Sequence, residues 1–412
     1  MSITDTLIDF VQIAPPKSAQ DIARLCALDW AACGIAGNTG EWHDFTTLQD
    51  GGPCAVIGGG AASVAGAALI NGALSHALDY DDTHFAHVGH TTTVMMPAAL
   101  AVGQMIGAAL DDIIDASLIG AEAAVAVGLW LGAEHYAAGF HQTATAGTFG
   151  ATLAACRLLH LNSDQTRHAL GLATTMASGL KCQFGTMGKP LNAGLAARAG
   201  VEAALWAQAG VTSAREGLTD AQGFGPSHHG AGRAVPLPPA GQWRIETVSH
   251  KFHACCHGLH ATLEALGEVP DLQSAPEVKI ATNPRWLKVC NNAAPETGLT
   301  AKFSYSHVVA MAAHGVDTSD IAQFSDAVAC RSDLAAWRKR VAVAGDANLS
   351  DMQVRVSANG AEVFHDLAAT LPLPVRSDKV MQKARALVGA RADDLQGAIK
   401  ANDLSAFVAA LR

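Results

Sequence analysis

The stretch GGAASVAGAALINGALSHAL at residues 59–78 decides the fold, because small apolar side chains recur in it at three- and four-residue spacing. This pattern predicts a helix that packs closely against other helices through Ala and Gly. The same pattern continues from about residue 16 to residue 220 without a fixed repeat. The chain is 50% hydrophobic but only 5% aromatic, which favours tightly packed helices over a β-sandwich. We therefore expect a mainly α-helical body.

The pattern changes after a segment rich in Gly and Pro at residues 223–243. Beyond it, PEVKIATN (276–283) and WLKVC (286–290) look like strands. MQVRVSANGAEVF (352–364) predicts a hairpin that turns at Asn359-Gly360, a dipeptide favoured in type I′ turns. The end of the chain returns to helical patterning.

These changes predict two domains. A large all-helical domain is expected over residues 1–238 and is completed by residues 376–412. A smaller α+β domain over residues 239–375 is expected to act as a lid.

Composition argues against several classes of partner and location. The net charge of −10 disfavours a nucleic-acid partner, which requires a basic face. The nine cysteines lack the spacing of a disulfide framework, and the N-terminal residues lack the pattern of a signal peptide, so we expect a cytoplasmic protein. The apolar stretch at residues 93–110 contains Pro97 and Gln104, and it predicts a buried helix and no membrane span.

The most chemically distinctive stretch is HALDYDDTHFAHVGH at residues 76–90. It places three carboxylates, a threonine and four histidines between two apolar runs: Asp79, Asp81, Asp82, Thr83, His76, His84, His87 and His90. Burying such groups is costly without partners, and groups gathered in this way are candidates for shifted pKa values and proton transfer. A solvated helix end with Asp caps is the alternative. We interpret the cluster as a functional site.

Four further segments carry candidate site residues. His141 precedes a helix that opens with Thr and Gly, where backbone N–H groups can face an anion. Lys189 precedes Pro190 and a helix of small residues. Residues 249–266 contain Lys251, Cys256 and His260, and residues 302–315 contain Tyr305 and His307. The alternative for His141 is a structural histidine, and the alternative for Lys189 is a surface lysine. For the last two segments, the alternative is a helix end whose polar residues face water.

Two histidine-rich patterns allow a metal site. Cys256, His257 and His260 form one pattern, and the HxxHxxH spacing of residues 84–90 forms the other. Neither contains the C-x-x-C or H-E-x-x-H arrangement that marks many zinc sites. The sequence therefore favours the absence of a metal.

Six segments, taken in order along the chain, resemble the MmgE/PrpD family, which includes 2-methylcitrate dehydratase, cis-aconitate decarboxylase and iminodisuccinate epimerase. The segments are ALDYDDTH, HTTTVMMPAALA, FHQTATAGTFGA, GKPLNAGLAARAG, KFHACCHGLH and AKFSYSHVVA. The resemblance implies a large helical domain with a smaller α+β lid, usually a homodimer. It also implies no metal and no organic cofactor.

The resemblance also implies roles for particular residues. The acid of the family's active site corresponds to Asp79, with Thr83 one helical turn later. The family's other motif residues correspond to His90, His141, Lys189, Lys251, Cys256 and His260. A tyrosine of the decarboxylase branch corresponds to His307, with Tyr305 two residues earlier.

The resemblance implies a small di- or tricarboxylate as substrate. With the residues above, it predicts a lyase or isomerase that removes a proton alpha to a carboxylate. Lys189 and Lys251 are expected to bind carboxylates, and His90 or His141 is expected to be the base. Loss of β-hydroxide gives a dehydratase, and reprotonation on the other face gives an epimerase. A cis-aconitate-type decarboxylase, or a protein that binds carboxylates or metals without catalysis, is the alternative.

Overall fold

Two units make up the chain in this computed structural model, which describes residues 2–47, 49–235 and 243–412. Unit 1 comprises Met1–His250 and Val380–Arg412, and unit 2 comprises Lys251–Lys379. The predicted boundary at residues 238 and 239 lies outside the described residues. The second boundary was expected between residues 375 and 376. In the structure it lies four residues later, between Lys379 and Val380, inside the helix Leu373–Val388.

Unit 1 is built almost entirely of helices. Its helices are α1 Ile3–Val11, α2 Lys17–Gly37, α3 His43–Thr46, α4 Val64–His76, α5 Thr92–Ile106, α6 Leu110–Ala137, α7 Gln142–Leu158, α8 Ser163–Ala173, α9 Gly188–Gln208 and α10 Phe224–Ser227. Two short strands, β1 Cys54–Ala55 and β2 Ala61–Ala62, pair in antiparallel fashion. The prediction of a mainly helical chain is confirmed.

Glycine allows the central helices of unit 1 to approach closely. Helix α4 packs against α9 where Gly72 meets Gly194, and a Cβ at Gly72 would lie 2.8 Å from the Cα of Gly194. Helix α6 packs against α7 in the same way, and a Cβ at Gly120 would lie 2.7 Å from the carbonyl oxygen of Gly150. The scarcity of aromatic residues follows from this packing, since larger side chains would separate the helices.

The end of the chain returns to unit 1. Helix α17 Leu373–Val388 contains the unit boundary, and α18 Arg391–Ala401 and α19 Leu404–Leu411 follow it. Phe407 on α19 stacks on Trp30 of α2 with ring centroids 6.5 Å apart. The predicted helical tail is therefore confirmed.

Unit 2 combines helices with a sheet. Its helices are α11 His260–Leu266, α12 Pro284–Val289, α13 Gly298–Ala301, α14 Tyr305–Ala313, α15 Asp326–Ala329 and α16 Ser332–Trp337, followed by the start of α17. Its strands are β3 Val278–Thr282, β4 Val341–Gly345, β5 Gln353–Ala358 and β6 Ala361–Asp366, arranged in the order β4-β3-β5-β6. Only the β3–β4 pair is parallel.

The sequence predicted the strands of unit 2 in part. The hairpin is confirmed: β5 and β6 pair around Asn359 and Gly360, whose φ angles of +50° and +77° fit a type I′ turn. The strand expected over residues 286–290 is wrong, because those residues lie in and just after α12. Asn283 caps this helix by accepting from Arg285 N–H, and a proline occupies its first turn.

One helix of the described residues has the length and apolar composition of a membrane span. This helix is α6, with a mean hydropathy of 1.6 over its most apolar window, and 89% of that window is buried inside the protein. Gly132, whose φ of +78° is not helical, also interrupts this helix near its C-terminal end. Burial by neighbouring helices accounts for the apolar composition of α6, so this composition is not evidence of a membrane span.

The close helix contact in unit 1 predicts the effect of adding one methyl group. Gly194→Ala should lower the free energy of unfolding by about 1–3 kcal/mol, because the new Cβ collides with the backbone of Leu69 on α4. Gly397→Ala is the matched control, since a Cβ on Gly397 of α18 meets nothing and should stabilise the helix by up to about 1 kcal/mol. Urea unfolding of both variants checks this, and equal midpoints would contradict it.

Candidate active site

The loop between α4 and α5 carries the cluster of acids and histidines. Helix α4 ends at His76 and α5 begins at Thr92. Asp79 has a φ of +51°, which few non-glycine residues adopt. The expectation that Thr83 lies one helical turn after Asp79 is wrong, because residues 79–83 are not helical. Thr83 instead pairs with Ser249 through two backbone hydrogen bonds of 2.8 and 2.9 Å.

Two imidazoles share the carboxylate of Asp81, whose side chain is only 1% exposed. His76 Nδ1 lies 2.9 and 3.1 Å from its two oxygens. His90 Nδ1 lies 3.0 Å from Oδ2, but the geometry of this contact is not that of a hydrogen bond. Burial alone would raise the pKa of Asp81, but the two imidazoles hold it well below its ordinary value. An ionised carboxylate only accepts hydrogen bonds, so His76 Nδ1 carries a proton. For His90, the Asp81 oxygen 3.0 Å from Nδ1 favours a proton on Nδ1 and a lone pair on Nε2, because the Asp79 oxygen 3.3 Å from Nε2 is already paired with Lys189.

An ion pair lies beside this buried group. Lys189 Nζ lies 2.7 Å from Asp79 Oδ1, and the same oxygen lies 3.3 Å from His90 Nε2. The side chain of Asp79 is 45% exposed and that of Lys189 is 14% exposed. The pair therefore borders solvent, while Asp81 does not. This arrangement places an ammonium group next to the basic nitrogen of an imidazole.

His141 adds a third imidazole to the same region. It precedes the first residue of α7, as the sequence predicted, and its backbone N–H donates to Gly179 O at 2.9 Å. Its ring centroid lies 6.1 Å from that of His76. The ring of Phe184 packs edge-on against it at 5.0 Å. The structure thus brings together four of the predicted site residues in unit 1, namely Asp79, His90, His141 and Lys189.

Burial sets the protonation of these imidazoles. It lowers the pKa of both His84 and His90 to about 4. It also lowers the pKa of His141 well below the ordinary value, with a further contribution from His76 and Lys189. The rings are therefore neutral near pH 7, the state in which an imidazole can act as a base or as a hydrogen-bond donor.

Asp82 fastens the loop to the start of α5. Its carboxylate accepts from Thr91 Oγ1 and from the backbone N–H of Thr92, both at 3.2 Å, and from the Thr92 hydroxyl. Burial raises the pKa of Asp82, and these hydrogen bonds oppose that rise. Cys26 Sγ lies 3.6 Å from His250 Nε2 in the same region. These hydrogen bonds fix the position of Asp82 relative to the start of α5.

A buried ion pair holds the loop from the C-terminal end of the chain. Lys383 Nζ lies 2.6 Å from Asp29 Oδ1, and both side chains are 1% exposed. The same ammonium donates to Tyr80 O at 2.6 Å and lies 4.1 Å from the centre of the Tyr80 ring. Because Tyr80 separates Asp79 from Asp81, Lys383 holds the backbone on which both site carboxylates depend.

Two groups of side chains in the described residues have the composition of a metal site. One is His76, Asp79, Asp81 and His90, and the other is Cys26, Asp82 and His250. In the first group, protein groups already compensate the charges: two imidazoles face one carboxylate, and an ammonium faces the other. Neither histidine-rich pattern singled out in the sequence forms such a group within the described residues.

Unit 2 holds three of the other predicted site residues near its first residue. Lys251 is 3% exposed. Cys256 is half-buried, and its backbone N–H donates to Lys302 O at 3.0 Å. His260 Nε2 lies 3.3 Å from Cys255 O, and burial lowers the pKa of His260 well below its ordinary value.

The remaining two predicted residues lie at the start of α14, inside unit 2. Tyr305 is fully buried; its hydroxyl donates to Gly258 O at 2.8 Å and lies 3.2 Å from Thr282 Oγ1. His307 is also fully buried, and within the described residues neither of its ring nitrogens has a hydrogen-bond partner. Burial lowers the pKa of His307 to about 4.

Four residues contribute to the site although the sequence predicted no individual role for them. His76 and Asp81 lie in the stretch that the sequence singled out, so a signal for them existed. Asn192 follows Lys189 by three positions and contacts His141. Lys383 is 303 positions from Tyr80, and nothing in the sequence pattern connects them.

Comparisons with known proteins connect this site to a family. The family model described as the MmgE/PrpD N-terminal domain matches residues 6–233. The model described as the MmgE/PrpD C-terminal domain matches residues 253–401. The first match contains the loop with Asp79, Asp81 and His90, as well as His141 and Lys189.

Similar proteins include cis-aconitate decarboxylases. The chain is 29% identical over 294 residues to a cis-aconitate decarboxylase-like protein of Aspergillus oryzae, which covers 64% of this chain and 61% of that protein. It is 30% identical over 283 residues to the cis-aconitate decarboxylase of Aspergillus terreus, covering 62% and 58%. The human cis-aconitate decarboxylase is 31% identical over 170 residues, covering 39% and 34%. The matches therefore span about three-fifths of the length of the two fungal relatives.

Buried neutral histidines predict a loss of stability in mild acid. The unfolded chain takes up protons near pH 6.5, whereas folded His84 and His90 do so only near pH 4. The free energy of unfolding should therefore fall as the pH drops from 6.5 to 4, by about 1.4 kcal/mol per pH unit for each histidine. The depressed pKa of Asp81 acts in the same direction below about pH 4.

Urea unfolding at several pH values measures this slope. His84→Gln should reduce it by about 1.4 kcal/mol per pH unit, because glutamine does not titrate and can still donate to Arg244 O. An unchanged slope in His84→Gln would contradict the account.

Proposed function

We propose that this chain, which belongs to the MmgE/PrpD family, is a lyase or isomerase acting on a small di- or tricarboxylate. Its relatives named as cis-aconitate decarboxylases are lyases. The proposed reaction begins with removal of a proton alpha to a carboxylate. Dehydration or epimerisation then completes it.

The observation that carries the proposal is the buried carboxylate shared by two imidazoles beside an ion pair. The Asp81 oxygen 3.0 Å from Nδ1 favours the Nδ1–H tautomer of His90, in which Nε2 keeps a lone pair. That nitrogen faces Asp79, the more exposed member of the pair with Lys189. A base and a cation are therefore adjacent where solvent reaches the loop.

The proposed step moves one proton. His90 Nε2 takes the α-proton, and the electron pair of the broken C–H bond stays on the substrate as an aci-carboxylate. The charge then lies on the carboxylate oxygens, so electrostatic stabilisation is the main requirement. Loss of a β-hydroxide gives an alkene, and return of a proton to the opposite face gives the epimer.

Lys189 is proposed to bind a substrate carboxylate in place of Asp79. Lys251 is proposed to bind another, with Cys256, His260 and Tyr305 as further substrate-binding residues. Thr83 and His307 are proposed to assist catalysis, and unit 2 is proposed to act as a lid. These roles rest on the family resemblance and on the positions of the residues in its motifs.

Decarboxylation is the second candidate, and the names of the similar proteins favour it. In that reaction a C–C bond breaks, CO₂ leaves, and the electron pair left on carbon takes a proton. Histidine at position 307, where the decarboxylase branch has tyrosine, favours the first candidate. A third possibility is a carboxylate-binding or metal-binding protein without catalysis.

We further propose that the reaction needs no metal or organic cofactor and takes place in the cytoplasm. The lack of a cofactor is proposed because the proposed proton acceptor and carboxylate ligands are all side chains. The cytoplasmic location is proposed because the cysteines within the described residues are free thiols. Elemental analysis of purified protein tests the first point. A stoichiometric metal that is required for turnover would contradict it.

A homodimer is proposed on the basis of an apolar surface of unit 1. Exposed apolar side chains project from α9 and from the segment before it: Leu180, Phe184, Met187, Leu195 and Trp206. Leu180 and Leu195 line one shallow pocket of about 380 Å³. Several exposed large apolar side chains on one helix and the segment before it are typical of a protein interface, and a two-fold axis would pair this surface with itself.

Deuterium exchange in D₂O tests the proposed chemistry. Incubation with citrate-like, aconitate-like, tartrate-like and iminodisuccinate-like acids should place deuterium alpha or beta to a carboxylate in at least one acid, as seen by proton NMR. Alkene signals indicate dehydration, inversion alone indicates epimerisation, and loss of CO₂ indicates decarboxylation. His90→Gln should slow exchange at least 100-fold, because it removes the proposed base.

His365→Gln is the matched control, since His365 is a half-buried residue on β6 and should leave exchange unchanged. His141→Ala and Lys251→Ala should also remove most turnover while the far-UV spectrum stays native. Full activity in these two variants would contradict the assignment of site residues.

The apolar surface predicts the effect of an added charge on assembly. Leu195→Glu should shift a dimer to monomer in sedimentation velocity, because a two-fold axis brings two new carboxylates into one desolvated patch. Leu299→Glu is the control, because Leu299 is 62% exposed but lies in unit 2. A Leu195→Glu protein that sediments like the wild type would contradict this interface.

A further inference from the structure

Asn192 contacts both His141 and the backbone that precedes α9. Its Nδ2 lies 3.3 Å from His141 Nδ1 and 3.4 Å from Leu180 O. A carbonyl oxygen only accepts, so the atom facing it is the amide NH₂ group. The same group then donates to the imidazole. Asn192 is 8% exposed, so little water competes for these hydrogen bonds.

This contact fixes which nitrogen of His141 carries the proton. Nδ1 accepts from Asn192 and is therefore unprotonated, so the single proton of the neutral ring lies on Nε2. Within the described residues, no protein group forms a hydrogen bond with that Nε2 atom. The Nε2–H group is therefore available to a bound molecule.

The surroundings keep this ring neutral. Burial lowers the pKa of His141, and the neighbouring His76, Lys189 and His90 lower it further, whereas Asp79 acts in the opposite direction. A neutral ring with a fixed tautomer can donate from one atom only.

We propose that Asn192 is a positioning residue that holds His141 as the Nε2–H tautomer, which assigns opposite roles to the two histidines. Asp81 leaves His90 with a lone pair on Nε2, whereas Asn192 leaves His141 with a proton there. His90 takes the α-proton, and His141 donates a hydrogen bond to the substrate oxygen on which the negative charge develops. This division of roles rests on the proposed function, whereas the tautomer does not.

Nitrogen NMR of protein labelled with ¹⁵N-histidine tests the tautomer directly. The His141 signals are identified by their loss in His141→Gln. In the wild type, Nδ1 should show the pyridine-type shift and Nε2 the pyrrole-type shift. Asn192→Asp should exchange the two, because a carboxylate only accepts and draws the proton to Nδ1. A protonated Nδ1 in the wild type, or unchanged shifts in Asn192→Asp, would overturn the proposal.

Two further variants separate positioning from a structural role. Asn71→Asp is the matched control, because Asn71 is a buried amide of α4 that bonds to Ile57 N and Ala55 O. It should affect stability as Asn192→Asp does but leave the His141 shifts unchanged. Asn192→Leu keeps the side-chain size and should give His141 a mixture of tautomers. If Asn71→Asp also exchanged the two nitrogen shifts of His141, the proposal would be overturned.

Kinetics test the role in catalysis. On any acid that the wild type turns over, Asn192→Asp should lower kcat about 100-fold and change KM little, because the lost donor acts on charge that develops in the transition state. An unchanged kcat with a reversed tautomer would overturn the catalytic role. The NMR measurement needs no substrate, so its failure is distinguishable from failure of the proposed function.

Discussion

The charge of Asp81 is the constraint on which the site depends. A carboxylate that is 1% exposed must be compensated by nearby groups; here His76 donates a hydrogen bond and His90 Nδ1 lies 3.0 Å away. This requirement fixes the nitrogen on which His76 carries its proton and favours a proton on Nδ1 of His90. It also keeps the basic Nε2 of His90 directed at Asp79 and Lys189. One buried charge thereby determines the geometry of a proton-transfer site.

The rest of unit 1 serves to hold that charge in place. Lys383 binds the Tyr80 carbonyl, which lies between the two site carboxylates, and it is itself fixed by the buried Asp29. Asp82 ties the other end of the loop to α5. These contacts offset the cost of an unusual backbone conformation at Asp79, whose φ is +51°.

The sequence predicted the helical body because Ala and Gly at helical spacing leave few other ways to bury apolar surface. It also predicted Asp79, His90, His141 and Lys189 as site residues, since each lies in a motif beside a helix end. It could not predict Lys383, because a contact across 303 positions leaves no local pattern. The conformation of residues 77–91 was missed for a related reason: Lys383 and Ser249, both far away in the sequence, bind the backbone of Tyr80 and Thr83 in this segment.

Neutron diffraction from a crystal exchanged into D₂O near pH 7.5 tests the central claim most directly, because it locates protons on individual atoms. We expect an unprotonated Asp81, deuterium on Nδ1 of both His76 and His90, and no deuterium on Nε2 of His90. A protonated Asp81, or a His90 ring that carries its only proton on Nε2, would contradict it. In that case His90 would have no lone pair directed at Asp79 and Lys189, and it would not be the base.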